Sequence, residues 1–145
     1  LPKNKDWKKF FVAEVPMPEK KKVLIIDDDK DYGEALKMIL VKNGFEVHNA
    51  LNVQAGWKFI EEERPSLIIL DVMMDKHTDG FEFCYALKHD DKYKNIPVLM
   101  VTAVTSKTGF KFSPETDGEY LQADDYVNKP VPFSELLQRV QKLIG

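Results

Sequence analysis

Strand-like and helix-like segments alternate along this chain, which predicts an α/β fold: a doubly wound, five-stranded parallel sheet flanked by helices. Two of the strand segments, 23–26 and 67–70, are apolar at every position, as strands covered on both faces are. The segments between strands repeat apolar residues at helical spacing and stop at glycine or proline.

Residues 1–22 lack periodicity. Pro2, Pro16 and Pro18 interrupt them, Lys20-Lys21-Lys22 closes them, and residues 1–21 are expected to form an N-terminal extension ahead of a domain over 22–145. Trp7, Phe10, Phe11 and Val12 are too apolar for a pure linker and are expected to dock on the domain or on an absent neighbour. The β-branched run Val23-Leu24-Ile25-Ile26 predicts the first strand. A helix is predicted from Asp31 to Asn43, with Ala35, Leu36, Ile39 and Leu40 inward and Gly44 as its stop. A second strand follows from Phe45 to Ala50. A second helix follows from Asn52 to Glu63, with Ala55, Phe59 and Ile60 inward and Pro65 beyond it. The third strand, Leu67-Ile68-Ile69-Leu70, runs into Asp71, and a third helix spans Gly80 to Lys88 with Phe83 and Leu87. Residues 96–101 form the fourth strand, ending at Thr102; Asp125-Tyr126-Val127-Asn128 form a short fifth before Lys129-Pro130. A closing helix from Phe133 to Ile144 carries Leu136, Leu137, Val140 and Leu143 on one face.

At 145 residues the chain suits one domain, large enough to bury about two-thirds of its unfolded surface without a disulfide or structural metal. The lone cysteine, Cys84, excludes an intrachain disulfide and reads as a small core or boundary residue. This usage, with no signal peptide and no apolar run of membrane-spanning length, leads to the expectation of a cytoplasmic protein without membrane contact. Charge is uneven. Residues 1–22 hold seven lysines against Asp6, Glu14 and Glu19, a net +4, while the remainder holds fourteen basic and twenty-one acidic residues, a net −7. The acidic body argues against direct nucleic-acid binding; the basic leader reads as a solvated segment or one that touches an acidic partner.

Ligands of open parallel sheets bind at the carboxyl ends of the strands. Here the first strand ends in Asp27-Asp28-Asp29, the third in Asp71, the fourth in Thr102, and the fifth is followed by Lys129. Carboxylates crowded together hold protons unless a cation neutralises them. A hard divalent ion with oxygen ligands does so, and Mg²⁺ favours a few carboxylates together with phosphate oxygens. Lys129 adds a point positive charge and Thr102 a hydroxyl. Such a set can hold a carboxylate and a phosphoryl group at once, and phosphoryl transfer depends mainly on positioning and charge neutralisation.

In their order, Val23–Asp29 (VLIIDDD), Leu67–Asp71 (LIILD), Val98–Ala103 (VLMVTA) and Ala123–Pro130 (ADDYVNKP) resemble the motifs of the response-regulator receiver family over about residues 22–144. The resemblance implies a flavodoxin-like sheet of strand order 2-1-3-4-5. It implies Asp71 as phosphoacceptor, taking a phosphoryl group from the phosphohistidine of a histidine kinase or phosphotransfer protein. Asp27, Asp28, Asp71 and the backbone carbonyl of Met73 are the implied Mg²⁺ ligands, Asp28 directly and Asp27 through water, with Mn²⁺ as a substitute. Thr102 is the implied switch hydroxyl, Lys129 the phosphate-contacting lysine and Tyr126 the aromatic that follows Thr102; together Asp71, Thr102 and Lys129 make the catalytic set. The Lys129–Pro130 peptide is implied to be cis. The expected activity is self-phosphorylation and slow dephosphorylation by a switch, rather than metabolic catalysis. The last helix ends one residue before the C-terminus, so output is expected through a separate protein or a fused domain.

The chain departs from the family pattern in places. Asp75 stands where a proline is usual, and the loop around it, which includes His77, is a residue longer. Residues 106–120, with Gly109, Pro114 and Gly118, are about five residues longer than the family norm, so the fourth helix is expected to be altered, at most starting within Pro114–Gln122. That altered face suggests a distinct partner, or a tolerated surface insertion. Gln122 replaces a common glycine.

Singly, each motif has a plainer explanation. Asp27–Asp29 could only cap a helix, Lys129 could be a solvated lysine, Thr102 a strand residue and Tyr126 a packed aromatic; His48, His77 and His89 read as surface residues. Three rival functions fail on specific residues. A calcium loop over Asp27–Asp31 lacks its glutamate, since Met38 stands there. An aspartyl phosphatase of the haloacid dehalogenase type needs a second aspartate where Met73 stands. A flavodoxin-like nucleotide-binding module needs a phosphate loop where Asp27–Asp29 stand. A pseudo-receiver acting by contact alone remains as an alternative, with none of the key residues missing.

Overall fold

The computed structural model describes residues 20–71, 79–102 and 123–144, with Asp79 and Thr102 described by their backbone only. The N-terminal segment 1–19, the loop 72–78 that holds Met73, Asp75 and His77, and the segment 103–122 that holds the expected insertion and altered helix lie outside the described residues.

Among the described residues nine elements follow one another, strand and helix alternating up to β4: β1 (Lys22–Ile26), α1 (Lys30–Lys42), β2 (Glu46–Ala50), α2 (Val53–Glu63), β3 (Leu67–Asp71), α3 (Asp79–Lys88), β4 (Val98–Thr102), β5 (Asp125–Asn128) and α4 (Phe133–Ile144). All four strand pairings are parallel, and the sheet order is β2-β1-β3-β4-β5, the order implied by the receiver resemblance. Parallel strands need long crossovers, and each described crossover contains a helix that covers one face of the sheet.

The two faces of the sheet bury separate apolar clusters. One gathers Leu24, Ile26, Ile60, Leu70, Phe83, Leu87 and Met100 under α2 and α3. The other gathers Val23, Ile25, Leu36, Leu40, Leu99, Leu136 and Val140 under α1 and α4. Alternate residues of β1 enter opposite clusters, which is why that strand is apolar throughout. Cys84 is fully buried in the first cluster.

Local signals explain where the helices start and stop. Asp29 caps α1, its carboxylate accepting from the Tyr32 amide at 3.1 Å, and Asn52 caps α2 by accepting from the Ala55 amide at 2.8 Å. Helix α1 ends in a Schellman motif: Phe45 N–H donates to Leu40 O, Gly44 N–H donates to Val41 O, and Gly44 sits at φ 93°. Two sequence expectations need correction. Ala55 is exposed, and Gly56 faces the sheet in its place, because the inward face is that of Gly56 and Ile60 and packs with a Cβ-free position against Ile26. The fourth strand starts at Val98, since Ile96 and Pro97 precede the paired residues.

Candidate phosphoacceptor site

The carboxyl ends of β1, β3 and β5 bring together residues from distant parts of the sequence. Register sets this up: Ile26 lies beside Leu70 and Asp71 beside Val101, so Asp27 and Asp71 both emerge at the same edge. Asp27 and Asp71 are the buried charged residues found among those described, 4% and 5% exposed, while Asp28 is exposed. Carboxylate oxygens of Asp27, Asp28 and Asp71 lie within 4.8 Å of one another.

Lys129, just past β5, reaches into this group. Its ammonium lies 3.3 Å from Asp71 Oδ2 and 3.4 Å from Asp27 Oδ2. Both contacts are long for hydrogen bonds, so the ammonium bridges the two carboxylates rather than committing to one. The Lys129–Pro130 peptide is cis, as the resemblance implies.

The electrostatics follow from this packing. Burial pushes the Asp27 carboxyl up from 3.8 to about 6; the Asp29 N–H that it accepts at 2.9 Å pulls it back, the Asp71 charge pushes it further up, and Lys129 opposes that. Burial alone would lower the Lys129 ammonium, but Asp71 and Asp27 outweigh it and hold its pKa above the ordinary lysine value. Two carboxylates and one ammonium in a half-dry pocket leave net negative charge, which suits a divalent cation. Asp27, Asp28 and Asp71 supply oxygen donors of the hard type that Mg²⁺ prefers, close enough together to share one ion.

Of the residues singled out in the sequence, Asp27, Asp28, Asp71 and Lys129 thus meet. The backbone of Thr102 ends β4 beside Asn128 of β5, one position beyond the Asp71 register; the Thr102 hydroxyl, the Met73 carbonyl and the 106–120 segment lie outside the described residues. Tyr126 is half-buried against the α3 side of the core, and burial holds its phenol above the ordinary tyrosine value. His48 and His89 are exposed, stacked on Phe59 and Tyr85 respectively. The helix-capping reading of the Asp27–Asp29 run holds for Asp29 alone, since Asp27 and Asp28 belong to the carboxylate group.

Sequence reasoning missed one member of this neighbourhood. Tyr32, in the first turn of α1, lies with its ring 4.3 Å from the Lys129 ammonium. No local pattern points to Tyr32, because the contact depends on how α1 packs against the segment after β5.

Comparison with known proteins agrees with this geometry. The family model of the response regulator receiver domain matches residues 23–141. The DNA-binding dual master transcriptional regulator RpaA of Synechocystis sp. is 35% identical over 123 residues, 85% of this chain and 48% of that protein. Protein RcaC of Microchaete diplosiphon is 33% identical over 82% of this chain and 17% of its own length. The chain therefore spans less than half the length of these two relatives. Among solved structures, the chemotaxis response regulator CheY4 of Vibrio cholerae is 30% identical with a TM-score of 0.73, covering 86% of this chain and 99% of that one. The receiver domain of a signal transduction histidine kinase from Syntrophus aciditrophicus is 30% identical with a TM-score of 0.71, covering 86% and 89%. The family match, the strand order and the acidic strand-end group lead to one conclusion: the chain belongs to the response regulator receiver family, the phosphoacceptor domains of two-component signalling.

Proposed function

We propose that Asp71 takes its phosphoryl group from the phosphohistidine of a histidine kinase or phosphotransfer protein, within a receiver domain spanning 22–145 behind an extension over 1–21. The observation that carries this reading is the Lys129 ammonium bridging buried Asp27 and Asp71 beside a third carboxylate. A carboxylate oxygen of Asp71 would attack phosphorus as the phosphorus–nitrogen bond of the donor breaks, leaving an acyl phosphate and a neutral imidazole after proton uptake. Lys129 is positioned to leave Asp71 and follow the incoming phosphoryl oxygens, because its bond to the carboxylate is long and shared. Thr102 would donate its hydroxyl to another phosphoryl oxygen, and Tyr126 would follow Thr102, biasing a two-state surface.

Asp27, Asp28, Asp71 and the Met73 carbonyl would hold Mg²⁺, with Mn²⁺ as a substitute. The bound ion supplies positive charge against the carboxylates and the phosphoryl oxygens. Asp27, at 4% exposure, is suited to act through water, while exposed Asp28 is open to direct contact. Output would pass to a separate protein or a fused domain, in the cytoplasm, without direct nucleic-acid or membrane contact by this chain; among the described residues, no helix is long and apolar enough to cross a membrane.

The test is uptake of label from radiolabelled acetyl phosphate with Mg²⁺. The wild type should form an acid-stable, alkali-labile phosphoprotein and Asp71→Asn should not; equal uptake by the two would overturn the assignment.

A further inference from the structure

The Lys129 ammonium has a third neighbour besides Asp27 and Asp71: the ring of Tyr32, whose centroid lies 4.3 Å away. That ring is itself braced by Phe133 of α4, at 5.5 Å and an interplanar angle of 50°. So α1, α4 and the residue after β5 meet at one aromatic seat. An ammonium within about 6 Å of an aromatic ring centre is attracted by the ring face, and the attraction grows as water is excluded. The Lys129 side chain is 23% exposed, so exclusion here is substantial.

The Tyr32 hydroxyl points to the same conclusion. It is buried and, among the described residues, has no hydrogen-bond partner. Buried tyrosines ordinarily place the hydroxyl on a partner, and leaving one unpaired is costly. Packing at Tyr32 therefore satisfies the ring and not the hydroxyl. Without the ring face, the two carboxylates would be the partners left to the ammonium among the described residues, both at long range.

We propose that Tyr32 is a positioning residue for the phosphoacceptor site: its ring face seats the Lys129 ammonium over Asp27 and Asp71, so that the charge stands ready when a phosphoryl group arrives. The kinetic part rests on the phosphoacceptor reading; the seating of Lys129 rests on geometry alone. Tyr32→Phe keeps the face and removes the orphaned hydroxyl. Tyr32→Leu keeps apolar bulk and removes the face.

The full chain is tested in two ways. In a carbon-13-labelled sample, the Lys129 ε-methylene protons should be shifted upfield by the ring current in the wild type and in Tyr32→Phe, and return to ordinary lysine positions in Tyr32→Leu. With acetyl phosphate and Mg²⁺, Tyr32→Leu should slow phosphorylation about 3- to 10-fold, in line with one partly desolvated cation–π contact, while Tyr32→Phe stays within about twofold of wild type. In a Lys129→Ala background, Tyr32→Leu should cause no further loss, because the seat then has no occupant. Absence of the upfield shift in the wild type overturns the proposal, even if Tyr32→Leu fails to fold. So does a loss from Tyr32→Leu that is the same with and without Lys129, or an equal loss in Tyr32→Phe and Tyr32→Leu. If the wild type takes up no phosphoryl group, the phosphoacceptor reading fails while the proton shift still decides the seat.

Discussion

The Lys129 ammonium lies 3.3 Å from Asp71 Oδ2 although 58 positions separate the two residues. The pair joins the end of β3 to the segment after β5 across the intervening strand β4. Such a contact does nothing for local structure, and the proposed function gives it a role. Replacing Lys129 by alanine should leave the fold intact but slow phosphorylation of Asp71 by acetyl phosphate about 10²-fold, the usual effect of removing one charge-stabilising donor. Lys129→Arg should recover only part of that rate, since a planar guanidinium does not reproduce a compact ammonium seated on a ring.

Asp27 makes the stability of the metal-free protein depend on pH in an unusual direction. Its carboxyl is held at about 6, above the ordinary 3.8, chiefly by burial. The folded state therefore binds that proton more tightly than the unfolded state does. The resulting stability is fully present below about pH 4 and is lost as pH rises through 6. Asp27→Asn should remove this slope, leaving the variant on the order of 2 kcal/mol more stable than wild type at pH 7 in chelator. Urea midpoints at several pH values between 4 and 7, wild type against variant, check it; parallel curves would contradict the shift.

Lys88 serves stability rather than chemistry. From α3 its ammonium donates to Asp124 Oδ2 at 2.6 Å and to Ile96 O at 2.8 Å, and the same Asp124 oxygen accepts from the Val98 amide at 2.8 Å. These bonds tie the start of β4 to the approach to β5. The Lys88 side chain is 10% exposed and Asp124 is 41% exposed, so the pair is screened on one side only. Lys88→Met should cost about 2 kcal/mol, between the values for exposed and fully buried pairs. Chemical denaturation would read it, and a loss below about 0.5 kcal/mol would show that the network is dispensable.

Gly44 carries the turn out of α1 at φ 93°, with two backbone bonds closing the helix behind it. A Cβ there meets nothing within 4 Å, so the cost of Gly44→Ala is conformational alone, about 1–2 kcal/mol. Gly56 offers the contrast: an added Cβ would lie 2.5 Å from Ile26 Cδ1, a packing conflict in a helix where alanine is otherwise favoured. Thermal melts of the two alanine variants, with Ile26→Val added to Gly56→Ala, should show rescue at position 56 only.

The sequence by itself determined the class of fold and the meeting of four residues at one edge of the sheet. Apolar runs with the right period mark strands and helices locally, and parallel topology forces every strand's carboxyl end to one edge, so Asp27, Asp28, Asp71 and Lys129 could be placed together without coordinates. Asp29 was ambiguous in the sequence because capping a helix and joining a carboxylate group use the same side chain; only the structure separates it, as the cap for Tyr32, from its two neighbours. Ala55 was misplaced because the inward face is centred on Gly56 and Ile60, and the close fit of Gly56 to Ile26 depends on the distance between α2 and β1, which no local pattern encodes. The seat of Lys129 on Tyr32 was invisible for the same reason: it needs α1, α4 and the end of β5 to pack at one point, and packing between distant segments is decided by the whole core.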